Sequence, residues 1–167
     1  GGLVPFGVWG GQGPIDKAKE YFPTFYYSLA LRCLEMGLDG SLDGLSATMI
    51  TTLDDTLRPL SQNYKVSVGR EIPMVFLNHA QHRKEDFGKT YNAKIFKQAA
   101  ERLEEVCDVK ITDENLKKAF EVYNENRALK REFVKLCGDY SQTIKASDRC
   151  NVLKASHHML KDEHNKM

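Results

Sequence analysis

Two short apolar runs constrain this chain more than any other feature. They are Ala47-Thr48-Met49-Ile50-Thr51-Thr52 and Ile72-Pro73-Met74-Val75-Phe76-Leu77. Both are too short for helices and rich in β-branched or apolar residues, so they read as strands. The second shows no polar alternation, as expected of a strand covered on both faces. Between them Asp54 and Asp55 are placed to cap a helix running to about Tyr64, with Pro59 set to kink or break it. Strand, helix, strand in that order implies a parallel pair joined by a right-handed crossover. The fold class is α/β.

Helical rhythm dominates on either side of this unit. From Thr24 to about Met36, Phe25, Leu29, Cys33 and Met36 form one stripe, with Tyr26, Ala30 and Leu34 beside it. Thr24 is the expected N-cap and Gly37 the expected residue past the end. Beyond Asn92, Ile95, Phe96, Ala99, Ala100, Leu103, Val106 and Cys107 keep an i, i+3, i+4 spacing. Thr112 caps the next helix, with Asp113 and Glu114 in its first turn and Gly138 as its stop. A last helical segment begins at about Ser147. The α/β front half is thus followed by a helical back half.

Charge and cysteine usage remove several functions. With 24 Lys+Arg against 23 Asp+Glu, the net charge of +1 gives no broad attraction to nucleic acid or an anionic membrane. No apolar run approaches the roughly 18–20 residues that span a bilayer. Four cysteines without a pairing pattern do not make a disulfide scaffold, which suits a cytoplasmic protein. The mixed-sign charges of the back half, from Glu104 to Glu132, read as wet helix faces.

The candidate chemical motifs are weak one by one. The glycine-rich start ends in Gly10-Gly11-Gln12-Gly13-Pro14, which lacks the Gly-Lys-Ser/Thr of a P-loop and the third glycine of a dinucleotide fingerprint. It reads as a structural turn. Leu38-Asp39-Gly40 and Leu42-Asp43-Gly44 lack the alternating ligands of a calcium loop. Cys33 and Cys107 lie on apolar stripes, where packing is the default role, with Cys33 retained as a metal-ligand candidate. His79 and His82 match no zinc signature, and His157, His158 and His164 read as surface residues of a charged helix. The chain opens at Gly1-Gly2 without Met and stops at Met167 within a helical pattern, so we expect a piece of a larger subunit.

A longer set of motifs is more specific. Pro23-Thr24-Phe25-Tyr26-Tyr27-Ser28, Cys33-Leu34-Glu35-Met36-Gly37-Leu38-Asp39-Gly40 and Asp55-Thr56-Leu57-Arg58-Pro59-Leu60-Ser61-Gln62-Asn63 come first. Ile111-Thr112-Asp113-Glu114-Asn115-Leu116, Tyr123-Asn124-Glu125-Asn126-Arg127 and Met159-Leu160-Lys161-Asp162-Glu163-His164 follow. Together they resemble the 2-hydroxyacyl-CoA dehydratase family, and in it the iron–sulfur D-component related to the benzoyl-CoA reductase subunits. The resemblance implies a flavodoxin-like lobe with a parallel sheet. Residues 1–140 would form part of that lobe with its helical back half, and 141–167 would begin a connecting helix to a second lobe. It implies a [4Fe-4S] cluster, a second dehydratase subunit, an ATP-dependent activator protein and an acyl-CoA substrate. It also implies a ketyl-radical elimination of water. Where the family shows Pro-x-x-x-Cys-Ser, this sequence has Pro23, Tyr27 and Ser28. Where the family shows Cys-Asp-x-x-Arg, it has Asp54, Asp55 and Arg58. Tyr27 and Asp54 thus stand at two cluster-ligand positions, with Ser28 and Arg58 beside them, and a third ligand would lie beyond Met167. Asp54 and Cys33 are the remaining candidate iron ligands. The alternative is a cluster-less structural subunit supporting a cluster-bearing partner.

Overall fold

The computed structural model describes residues 1–167. It divides into two compact units, one of Val8–Lys110 and one of Ile111–Met167 together with Gly1–Gly7.

In the first unit the two apolar runs form β1 (Thr48–Thr51) and β2 (Met74–Leu77), joined by α2 (Leu57–Ser67). The strands pair in parallel, with Thr48 opposite Met74 and Thr51 opposite Leu77. The mixed α/β class follows from this pair and the helices around it. Successive strand residues point to opposite faces. Ile50 and Met74 therefore meet a cluster built by α1 (Ser28–Leu38) and α2, including Leu34, Leu60, Tyr64 and Val68. Val75 and Leu77 pack instead on Ala99, Ile95 and Leu103 of α3 (Asp86–Cys107). The unbroken apolar run of β2 is explained by this two-sided packing.

Several local expectations are corrected. Helix α1 starts at Ser28, not Thr24, because the Tyr26 N–H bonds Pro23 O in a preceding turn and Tyr27 is the N-cap. Its buried residues are Ala30, Leu31, Leu34 and Glu35, whereas Phe25 is 79% exposed. The period was right, but the buried stripe lies about one residue further round. Gly37 is inside α1, and the C-cap is Asp39. Pro59 neither kinks nor breaks α2, because it sits in the first turn, where its missing N–H has no intrahelical partner to lose. Helix α3 begins before Asn92, at Asp86.

In the second unit the hydroxyl of Thr112 accepts from the Asn115 N–H and caps α4 (Asp113–Asp139) as its sequence implies. Helices α5 (Ala146–Ala155) and α6 (Lys161–His164) follow, separated by a turn. His164 is buried rather than on the surface. Its Nε2–H donates to Val152 O at 2.8 Å, and its Nδ1 accepts from Asn126 Nδ2 at 2.8 Å. The carbonyl acceptor fixes this tautomer. Asn126 also donates to Asn165 Oδ1 at 2.7 Å, so this buried polar group is satisfied by α6 and the residue after it.

Candidate functional site

Tyr27 and Asp54 lie 27 residues apart and meet in space. Tyr27 is the N-cap of α1, and Asp54 follows β1 in the loop leading to α2. The Tyr27 hydroxyl donates to Asp54 Oδ2 at 2.9 Å. The other carboxylate oxygen accepts the backbone N–H groups of Thr56 at 2.8 Å and Leu57 at 2.9 Å. Those donors would otherwise lack intrahelical partners. One carboxylate thus starts α2 and ties it to the N-terminus of α1.

The pair has a defined electrostatic state. Desolvation of the phenol, then its hydrogen bond to Asp54 and the charge of that carboxylate, push Tyr27 up to about 12. The Thr56 hydroxyl bond pulls the other way without cancelling the rise. Tyr27 is a neutral donor at physiological pH. Ser28 and Arg58 lie exposed in the first turns of α1 and α2, and neither side chain bonds the pair. Cys33 is half-buried, its Sγ 3.7 Å from Val8 O, and burial raises its thiol pKa. The structure therefore joins Tyr27 and Asp54 but leaves Cys33 engaged with the Val8 carbonyl.

An iron–sulfur cluster is held by Cys thiolates. A phenol that stays protonated and a carboxylate committed to two backbone donors do not fit that demand. No three His, Cys, Asp or Glu side chains gather elsewhere in residues 1–167 to hold a metal ion. We assign no reaction step in this chain to a cluster.

Other side chains of the same unit act as clamps, and sequence patterning did not single them out. Glu35, 5% exposed, accepts the backbone N–H groups of Asp16 and Ala18 on Oε2 and of Lys17 on Oε1, at 2.8–3.3 Å. These bonds hold its carboxyl below the usual range against an opposing desolvation that is the largest single influence. Arg32 donates to Pro14 O at 3.0 Å and Gln12 O at 3.4 Å. A Cβ at Gly13, which has φ +138°, would stand 3.3 Å from Arg32 Nη2. The glycine-rich segment therefore wraps a guanidinium with its carbonyls, in keeping with a structural turn. The Asn63 side chain donates to Tyr21 O at 2.8 Å. The signal available in the sequence was a charged or amide residue inside an apolar helical stripe, Glu35 above all.

Comparison with known proteins covers these same residues. The family model of the 2-hydroxyglutaryl-CoA dehydratase D-component matches residues 1–167. The chain is 44% identical over 164 residues to the (R)-2-hydroxyglutaryl-CoA dehydratase subunit beta of Acidaminococcus fermentans, covering 98% of this chain and 43% of that protein. It is 39% identical to the (R)-phenyllactyl-CoA dehydratase beta subunit of Clostridium sporogenes, over 98% of this chain and 43% of that one. A benzoyl-CoA reductase polypeptide of Thauera aromatica is a more distant relative at 24% identity, over 99% of this chain and 43% of its own length. The chain thus spans less than half the length of these curated relatives. With the whole of residues 1–167 matched and 44% identity over 164 residues, the chain belongs to the 2-hydroxyglutaryl-CoA dehydratase D-component family.

Proposed function

We propose that this chain is part of a subunit of an (R)-2-hydroxyacyl-CoA dehydratase, a hydro-lyase that removes water from a 2-hydroxyacyl-CoA to give the 2-enoyl-CoA. The observation that carries this reading is 44% identity, over 98% of the chain, to a protein named as the beta subunit of such an enzyme. The hydroxyl beside a thioester carbonyl is a poor leaving group while the adjacent carbon is electron-poor. Adding one electron to the carbonyl gives a ketyl, which can expel the hydroxyl as hydroxide. Loss of a proton from carbon 3 completes the water and leaves the enoyl ketyl, whose electron is recovered when turnover ends. In this proposal an ATP-dependent activator supplies the electron, and a cytoplasmic partner subunit holds the iron–sulfur group.

Residues 1–167 would then serve as a structural part of the complex. The Tyr27–Asp54 bond favours this division of labour, because hydrogen bonding occupies the two positions where the resembling family keeps thiolates. Purification of the complete subunit under anaerobic conditions, alone and with its partner, tests both parts. Expected are little iron and no cluster EPR signal in the isolated subunit, and dehydration of a 2-hydroxyacyl-CoA by the activated complex. Full cluster occupancy in the isolated subunit would overturn the structural role. Failure of the activated complex on a panel of 2-hydroxyacyl-CoA thioesters would overturn the dehydratase reading.

A further inference from the structure

The second unit carries an uncompensated cationic hollow that the dehydratase reading does not use. Two adjoining cavities, of about 440 and 420 Å³, share Arg127, Lys130, Ser156 and His157. Arg131 joins one of them, and Lys161 and Tyr123 the other. Helical spacing explains the convergence: Tyr123, Arg127, Lys130 and Arg131 follow one another on neighbouring turns of α4. The turn between α5 and α6 supplies the facing wall, which is tied to the N-terminal segment by the bond from Gly7 N–H to His157 O at 2.9 Å. No Asp or Glu lines either cavity.

These cations have no anionic partner. The ion pairs of the chain involve other residues throughout, none of them Arg127, Lys130, Arg131 or Lys161. Arg127 is held in place by donating to Asn124 Oδ1 at 2.6 Å. Lys161 donates to Ser156 O and lies over the Tyr123 ring, 5.4 Å from its centroid. Desolvation, then the Lys130 charge, lowers the Lys161 pKa, and His157 is lowered by desolvation and by both lysines. Mutual repulsion of this kind is relieved when an anion binds. Several positive charges facing one hollow suit a multiply charged anion better than a carboxylate, and Arg and Lys together suit phosphate oxygens. The volume matches a small organic molecule rather than a polymer.

We propose that the hollow between α4 and the α5–α6 turn binds the phosphoryl groups of a small-molecule ligand. This stands independently of the dehydratase reading, because its readout is binding and not turnover. The test is calorimetry on the complete subunit in its complex, titrated with inorganic pyrophosphate, with coenzyme A and with pantetheine at low ionic strength. Saturable binding of pyrophosphate is expected, weakened at least tenfold by Lys130→Gln with Arg131→Gln and largely kept by Lys130→Arg. Lys130 and Arg131 are chosen because neither makes a hydrogen bond that holds the fold, so an unchanged melting temperature is expected in both variants. If coenzyme A shows the same loss while pantetheine binds wild type and variant alike, the occupant is the nucleotide end of coenzyme A. If only pyrophosphate is affected, the occupant is a separate phosphate compound. Absence of saturable pyrophosphate binding, or equal binding by wild type and the double variant, would overturn the proposal.

Discussion

At the scale of single residues, Tyr27 and Asp54 are a proton donor and its acceptor. Burial and the Asp54 carboxylate raise Tyr27 to about 12, whereas an unfolded tyrosine titrates near about 10. The neutral phenol is favoured by folding. Its contribution is therefore complete below about pH 10 and lost as pH rises from there towards 12. Tyr27→Phe should remove an ionisation centred at about 12 from an ultraviolet alkaline titration. Because the residue is 41% exposed, the stability loss at neutral pH should stay at about 0.5–1 kcal/mol. A titration curve identical to wild type would show that the phenol is not so held.

Glu35 carries the opposite sign. Its folded pKa is lowered, so its contribution is present above the ordinary carboxylate value of about 4.3 and lost as pH falls through the folded value. Glu35→Gln sets an amide against three backbone N–H donors and should cost about 2–4 kcal/mol at pH 7. Urea denaturation at pH 7 and at pH 3 checks this, since the gap between wild type and variant should narrow in acid. A gap that stays constant would mean that the charge of Glu35 does not matter.

At the scale of elements, α1 and α2 approach so closely at Gly37 that no side chain fits between them. A Cβ there would lie 2.9 Å from Val68 Cγ2 and 3.1 Å from Tyr64 Cε2. Alanine favours the helix itself by up to about 1 kcal/mol, but overpacking typically costs about 1–3 kcal/mol. Gly37→Ala should therefore be destabilising on balance, by up to about 2 kcal/mol, read as a lowered denaturation midpoint. A raised midpoint would mean that the helices separate without cost. The same elements show what the sequence could and could not convey. The strand–helix–strand order and the Thr112 cap were legible because they rest on local periodicity and local side-chain chemistry. Gly37 was misread as a helix end because its reason is a neighbour roughly thirty residues away. Phe25 was set on the helical stripe because its spacing fits the period, although it lies in the turn before α1, and a period does not fix which of two adjacent stripes faces inward. The Tyr27–Asp54 contact was not legible from periodicity for a similar reason. Asp54 could be placed before a helix and Tyr27 within the one expected from Thr24. Only the family resemblance, which sets both at ligand positions of one cluster, pointed to their meeting.

At the scale of the whole chain, exposed apolar surface meets a charge balance too small to keep copies apart. Phe25, Val66, Val4, Leu53, Phe87 and Phe120 are each between 62% and 79% exposed. Met49 and Phe76, on the two strands, are 44% and 38% exposed. Single exposed apolar residues are ordinary, but this many large ones favour association. A net charge of +1 offers little electrostatic repulsion against it. Residues 1–167 expressed by themselves should therefore self-associate at neutral pH. Light scattering at pH 7 checks this directly. A monodisperse monomer with one cooperative melt would mean that the exposed side chains are too scattered to join copies.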